Sequence, residues 1–185
     1  MRKIILFIAS SLDGYIARNS GEIDWLFTDE DYGYTEFFAQ VDTVIMGNKT
    51  YQQVLGFAEY PYKDKEVFVF SKTQQGTTDN NAKFVGNDWI NWLNTLRQSG
   101  DVWRQEADLL RNIWLVGGAQ LIYDFIKHNF IDELILSIHP IILGSGIPLI
   151  VNDPSLETLL ELKNVKTYNS GLLQVSYNLQ KRPQT

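Results

Sequence analysis

NIWLVGGAQLIYDFIKHN, residues 112–129, is the stretch on which the reading of this chain turns. It opens with Ile113-Trp114-Leu115-Val116, an apolar run of the length of a buried strand. It breaks on Gly117 and Gly118, then continues with Leu121, Ile122, Phe125 and Ile126 at the spacing of one helical face. A strand that passes through glycines into a helix presents the first backbone N–H groups of that helix with no side chain in front of them. The guest expected there is a phosphate or pyrophosphate, held by amides and by the positive end of the helix dipole. The motif is not G-x-G-x-x-G, and it lacks the lysine of a P-loop. A tight strand-to-helix turn with no ligand is the alternative, and the rest of the chain has to decide between the two.

The chain has 185 residues, which suits a single domain over residues 1–185 with a substantial core. Apolar residues make up 44 %, enough for a globular fold and too scattered for a membrane span. Arg2-Lys3 followed by IILFIAS reads as a first strand, because the apolar run is short and no cleavage site follows it. There are no cysteines, which excludes disulfides, thiolate metal sites and cysteine nucleophiles and fits a cytoplasmic protein. No metal site is expected. The formal charge is −6 with no basic patch, so neither nucleic acid nor a membrane is an expected partner. An anionic ligand has to be held by local amides and a few lysines against the overall field.

Strands are expected at residues 3–10, apolar throughout and so central, and at 43–47, 66–71 and 82–85. Residues 11–23 read as a loop with Asp13-Gly14 and Ser20-Gly21 turns. A helix is expected over 28–41, with Thr28 as its N-cap and Asp31 in a capping-box-like position. Further helices are expected at 48–55 and 88–98, and residues 99–111 are a polar stretch with room for another helical turn. Residues 133–143 form another strand, with Pro140 marking a bend or an edge. Residues 158–168 and 172–179 flank Asn169-Ser170-Gly171 and read as an antiparallel hairpin. The alternation of Leu173, Val175, Tyr177 and Leu179 implies one buried face. The sum is an α/β chain with a mostly parallel mixed sheet and an antiparallel hairpin at its C-terminal edge.

Three strand ends pass into glycine or polar turns: Met46-Gly47-Asn48-Lys49-Thr50, Phe70-Ser71-Lys72 and Val116-Gly117-Gly118-Ala119. Ligands of open α/β sheets sit at carboxyl ends of strands, and three such ends can line one dinucleotide. Its pyrophosphate would lie at the glycines and its adenosine end near Lys49 and Lys72. Taken singly, either lysine reads equally as a solvated surface charge.

SLDGYIA (residues 11–17), VIMGNKTY (44–51), VGGAQLIY (116–123) and PIILGSG (140–146) occur in an order and at spacings that resemble the dihydrofolate reductase superfamily. The similarity is greatest to the branch holding the reductase domain of riboflavin biosynthesis. The resemblance implies a three-layer fold with helices on both sheet faces, and NADPH-dependent hydride transfer to a C=N or C=O bond of a small heterocycle. It places Ala9, Ile16 and Ala17 near the nicotinamide. Gly47, Asn48, Lys49, Thr50, Ser71 and Lys72 fall along the adenosine half. Val116, Gly117, Gly118, Ala119, Gln120, Leu121 and Tyr123 fall around the pyrophosphate. It also implies a cis Gly117–Gly118 peptide. The related reductases tend to pair, which together with the hairpin edge leads to an expected homodimer.

Two departures from the family pattern bear on specificity. Asn48 stands where an arginine is frequent, which leaves recognition of a 2′-phosphate to Lys49 and Lys72. Arginines that would face a substrate phosphate are replaced by Thr28-Asp29-Glu30-Asp31 and the aromatics Tyr32, Tyr34, Phe37 and Phe38. Asp31 falls where folate reductases carry the carboxylate that assists substrate protonation, and capping a helix is its competing role. Asp13 either lies over the active site or shapes the Asp-Gly turn. His128 and His139 show no partner in the sequence. Three functions remain open: reduction of a riboflavin-pathway pyrimidine such as 5-amino-6-(5-phosphoribosylamino)uracil, reduction of a dihydrofolate or pterin, and non-catalytic dinucleotide binding.

Overall fold

A computed structural model describes residues 1–98 and 111–182. Its centre is β1 (Ile4–Ser11), whose uninterrupted apolar run is buried on both faces of an eight-stranded sheet. The other strands are β2 (Tyr15–Ala17), β3 (Val41–Gly47), β4 (Glu66–Phe70), β5 (Lys83–Val85), β6 (Asn112–Gly117), β7 (Glu133–His139), β8 (Ile147–Pro148), β9 (Leu160–Thr167) and β10 (Leu173–Leu179). The main sheet runs β5-β4-β3-β6-β1-β7-β10-β9. All pairings from β5 to β7 are parallel, while β10 runs antiparallel to both β7 and β9. The expected mostly parallel sheet with a C-terminal hairpin is therefore observed.

Helices cover both faces. On one, α1 (Tyr34–Ala39) and α2 (Asn48–Leu55) bury Phe37, Tyr51 and Val54 against Ile5, Val44, Met46 and Trp114. On the other, α3 (Trp89–Gln98) and α4 (Ala119–Lys127) bury Leu93, Ile122 and Phe125 against Ile4, Leu6, Ile45 and Leu115. The alternation along β1 explains the two clusters, since successive side chains leave a strand on opposite faces.

Four expectations need correction. The helix expected over 28–41 is only Tyr34–Ala39, because Tyr32 and Gly33 both hold positive φ (50° and 79°) and no helix passes through them. Thr28 is exposed and caps nothing, and Val41 already belongs to β3. The expected loop over 11–23 contains β2, which pairs with the two-residue β8. The strand expected over 133–143 ends at His139, where Pro140 has no N–H to continue the ladder and the chain turns. β10 is not buried on one face only: Gln174 is buried opposite Leu173 and Val175, donating to the Tyr32 carbonyl and the Ser137 hydroxyl, each at 3.0 Å. Positions 99–110, where the further helical turn was expected, lie outside the described residues.

Candidate active site

Because β4, β3, β6, β1 and β7 are parallel neighbours, their carboxyl ends share one edge of the sheet. That edge carries Ser71, Gly47, Gly117, Ala9-Ser10-Ser11 and His139 in this order. β3 and β6 are adjacent, yet β3 sends α2 to one face and β6 sends α4 to the other. A crevice opens between helices that part in this way, and ligands of open α/β sheets bind there. The N-termini of α2 and α4 flank it, and neither is capped by a side chain. The first bond of α4 joins the Ile122 N–H to the Gly118 carbonyl at 3.0 Å. The N–H groups of Ala119, Gln120 and Leu121 precede that ladder and are available to an anion.

The walls of the crevice are close. A Cβ on Gly118 would meet the Thr50 hydroxyl oxygen at 3.4 Å, and one on Gly47 would meet the Gly117 carbonyl oxygen at 3.8 Å. The two glycine turns thus face each other, and the Gly117–Gly118 peptide is cis. Gly117 sits at φ 121°, which only glycine adopts readily, whereas Gly118 has φ −60° and ψ 179°, open to any residue. The absent side chain at Gly118 therefore serves space in the crevice, not backbone conformation. Asn48, beside it on α2, holds a buried Oδ1 with no donor among the described residues. Lys49, in the first turn of α2, and Lys72, just beyond β4, are exposed.

Several expected residues join this site and others are turned elsewhere. Val116 and Ala9 are half-buried, Ile8 approaches Gly117, and Ile16 packs on the α3–α4 core. Ala17 is buried, its carbonyl so near Gly146 that a Cβ there would lie 2.3 Å away. The Gln120 side chain is exposed, while the Leu121 side chain lies in the core, leaving only its backbone for the crevice. The Tyr123 hydroxyl donates to Asp153 at 2.8 Å and accepts from Lys127 at 3.1 Å, so it is committed to the outer side of α4. The Ser71 hydroxyl accepts from the N–H groups of Thr73 and Gln74 and shapes the turn that carries Lys72.

Asp31 is exposed, and both of its carboxylate oxygens accept from the Thr35 N–H while Oδ1 also accepts from the Thr35 hydroxyl at 2.6 Å. These bonds, the hydroxyl first, hold its pKa below the ordinary aspartate value. It thus caps the first turn of α1 as an anion. Asp13 accepts from the N–H groups of Leu143 at 3.1 Å and Gly144 at 2.7 Å, pinning the 140–146 turn over the end of β1. Its pKa is likewise lowered, the Ser11 hydroxyl being the largest cause.

A wall that the sequence did not reveal closes the β7 side. Ala9, Ser137 and Gln174 are in register across β1, β7 and β10, and Gln174 holds the Tyr32 carbonyl. Phe27 donates its N–H to His139 Nε2 at 3.2 Å, and the His139 ring packs against Trp25 and Phe27. Both histidines therefore have partners: His128 Nδ1 lies 2.8 Å from the Asp124 carbonyl oxygen. Trp25 is 7 % exposed and its indole N–H finds no acceptor among the described residues. Tyr34 meets Phe7 edge-on while Phe37 stacks on Phe7, so α1 and the 25–34 segment lie along the end of β1 next to Ala9. The Phe27–His139 and Tyr32–Gln174 contacts join positions more than a hundred residues apart, and no local pattern announces them.

A family model described as the RibD C-terminal domain matches residues 2–174. The chain belongs to that family. It is 39 % identical over 175 residues to the uncharacterized protein YwjB of Bacillus subtilis, covering 92 % of this chain and 95 % of that one. Among solved structures, a protein assigned to riboflavin biosynthesis from Shewanella sp. PV-4 superposes with a TM-score of 0.80 at 29 % identity. That match covers 98 % of this chain and all of the other. The Thermotoga maritima diaminohydroxyphosphoribosylaminopyrimidine deaminase/5-amino-6-(5-phosphoribosylamino)uracil reductase shares the fold at 16 % identity and a TM-score of 0.69, over 97 % of this chain and 57 % of that one. The architecture is the dihydrofolate-reductase-like fold of the RibD reductases.

Proposed function

We propose that this RibD-family protein is an NADPH-dependent reductase that acts on a C=N or C=O bond of a small heterocycle. The observation that carries the reading is the convergence of two uncapped helix N-termini on a crevice lined by Gly47 and Gly118, with Ala9 on the neighbouring strand end. The N–H groups of Ala119, Gln120 and Leu121 and those opening α2 would hold the pyrophosphate. Lys49 and Lys72 would attract the 2′-phosphate, and Asn48 Oδ1 would accept from the bound group. Ala9, Val116, Ile16 and Ala17 would form the apolar surroundings of a flat ring, the small side chain of Ala9 leaving room for it. When bound, the nicotinamide supplies the hydride.

Asp31 and Asp13 are anions near neutral pH, as their lowered pKa values require. Asp31 would stabilise positive charge on a protonated heterocycle, which supports a pterin-like substrate as well as a pyrimidine. Asp13 would keep the 140–146 turn in place over the β1 end. We further propose a homodimer paired through β9, and a cytoplasmic setting in keeping with a cysteine-free chain. Among the described residues no helix is long and apolar enough to cross a membrane.

Loss of NADPH absorbance with pyrimidine and dihydropterin substrates, measured beside the thermal shift with cofactor alone, tests this reading. Turnover of either class supports a reductase. A thermal shift with no turnover on any of them would make the protein a dinucleotide-binding module instead, and no shift at all would overturn the site.

A further inference from the structure

We propose that the heterocycle taken by this site carries no phosphate, and that the 25–38 segment excludes phosphorylated relatives by charge. The inference rests on the reductase reading above and adds the class of substrate. The expected place for the reacting ring is beside Ala9, on the face of β1 that also carries Phe7. Phe7 lies on Phe37 and Tyr34 of α1, and the register Ala9–Ser137–Gln174 leads to the Tyr32 carbonyl. The polar groups on that wall are acidic or neutral. Asp29 accepts from the Tyr32 hydroxyl at 2.7 Å, Asp31 from Thr35, and Glu30 and Glu36 are exposed. The charges acting on Tyr168, whose ring meets that of Tyr32 at 4.9 Å, are those of Glu30, Asp31 and Glu36.

Among the described residues the cation that touches this segment is Lys65, which donates to the Phe38 and Val41 carbonyls at the amino end of β3, away from the strand ends that carry Ala9. The sequence has no lysine or arginine between Arg18 and Lys49, and Arg18 is engaged by Asp24 through two hydrogen bonds. Residues 4–17, 112–126 and 128–162, which supply β1, β6, β7 and their turns, also have none. Lys49 and Lys72 belong to the other end of the crevice, beyond β6. Lys166, in register with Gln174, is the one cation that β9 brings toward this end, and it is exposed. A phosphate monoester carries a charge of about −1.5 to −2 at neutral pH and is normally met by arginine or lysine. Here it would face carboxylates, a repulsive element of the kind that sets specificity. A neutral or cationic ring meets no such repulsion, and the Trp25 indole N–H is a donor with no acceptor among the described residues.

The test uses matched pairs of probes with NADP bound: 5-amino-6-(5-phosphoribosylamino)uracil against its dephosphorylated form, and dihydroneopterin against its phosphate. NADPH titration is run first, because failure of the cofactor to bind removes the underlying reading itself. With cofactor bound, the unphosphorylated member of at least one pair is expected to bind about tenfold or more tightly than its twin. The gap should narrow as salt is raised, since ionic strength screens exposed charges. Glu30→Lys combined with Glu36→Lys is expected to improve affinity for the phosphorylated members without a matching gain for the others, which a merely structural role would not do. Tighter binding of a phosphorylated member, or binding of no unphosphorylated member while NADP binds, would overturn the proposal.

Discussion

Gly117 and Gly118 are neighbours with different duties, and substitution should separate them. Gly117 holds φ 121°, and a Cβ there would press on Ile122 Cδ1 at 3.3 Å. Gly117→Ala is therefore expected to lower stability by about 1–3 kcal/mol, seen as a reduced denaturation midpoint. An unchanged midpoint would show that the position tolerates a side chain. His139 offers a second check. Burial lowers its pKa against a smaller opposing effect of the Ser137 carbonyl, and its Nε2 accepts from Phe27 in the neutral form. A pKa depressed in the folded state gives stability that is present above the ordinary histidine value and lost as pH falls through the folded one. The melting temperature should decline as pH drops below about 6.5, and His139→Gln should flatten that part of the curve. An identical slope in the variant would locate the titration elsewhere. The expectation that this histidine had no partner failed because Phe27 lies 112 positions away in the chain.

Of the elements, those built on unbroken apolar runs or on glycine turns were the most legible. β1, β6 and α4 follow from periodicity and from Gly117-Gly118, because burial on two faces and a helix face leave direct marks on composition. The segment before α1 was misread as helix: Tyr32 and Gly33 take positive φ, and Gln174 and His139 order the chain there from a distance. β9 presents the opposite case, a strand whose eight residues are all exposed at the free edge of the sheet. Leu160, Leu162 and Val165 lie open along it. Antiparallel pairing with a second copy about a two-fold axis between Lys163 and Asn164 would set Leu162 against Val165 and Glu161 against Lys166, covering the edge. Light scattering at micromolar concentration should give about twice 21.3 kDa, and Leu162→Lys should shift the mass toward the monomer. A monomeric wild type would remove the pairing. Lys49 and Lys72, at the ends of β3 and β4, lead to a further expectation. NADPH should raise the melting temperature more than NADH, with about tenfold tighter binding from charge-assisted contact to the 2′-phosphate. Equal shifts would count against both lysines.

For the molecule as a whole, strand order was less legible than strand identity. The ordered motifs pointed to a dihydrofolate-reductase-like sheet, but the site arises from a topological fact that no single motif states. β3 and β6 are adjacent and send their helices to opposite faces, so segments far apart in the chain bring Gly47 and Gly118 to one crevice. The acidic and aromatic character of the 28–38 segment was legible as a departure that bears on specificity, but its placement was not, since His139 and Gln174 hold it from the far end of the chain. The central claim is that this crevice holds the pyrophosphate of NADPH. Gly118→Val tests it most directly, because φ −60° at that position accepts a side chain, a Cβ would meet Thr50 only at contact distance, and the added methyl groups would stand in the space proposed for the pyrophosphate. The variant should fold, and calorimetric titration of the folded protein should show NADPH affinity reduced at least about a hundredfold from wild type, a loss of some 2.7 kcal/mol. An NADPH dissociation constant equal to that of the wild type would mean that the glycines serve only the turn, and would contradict the account.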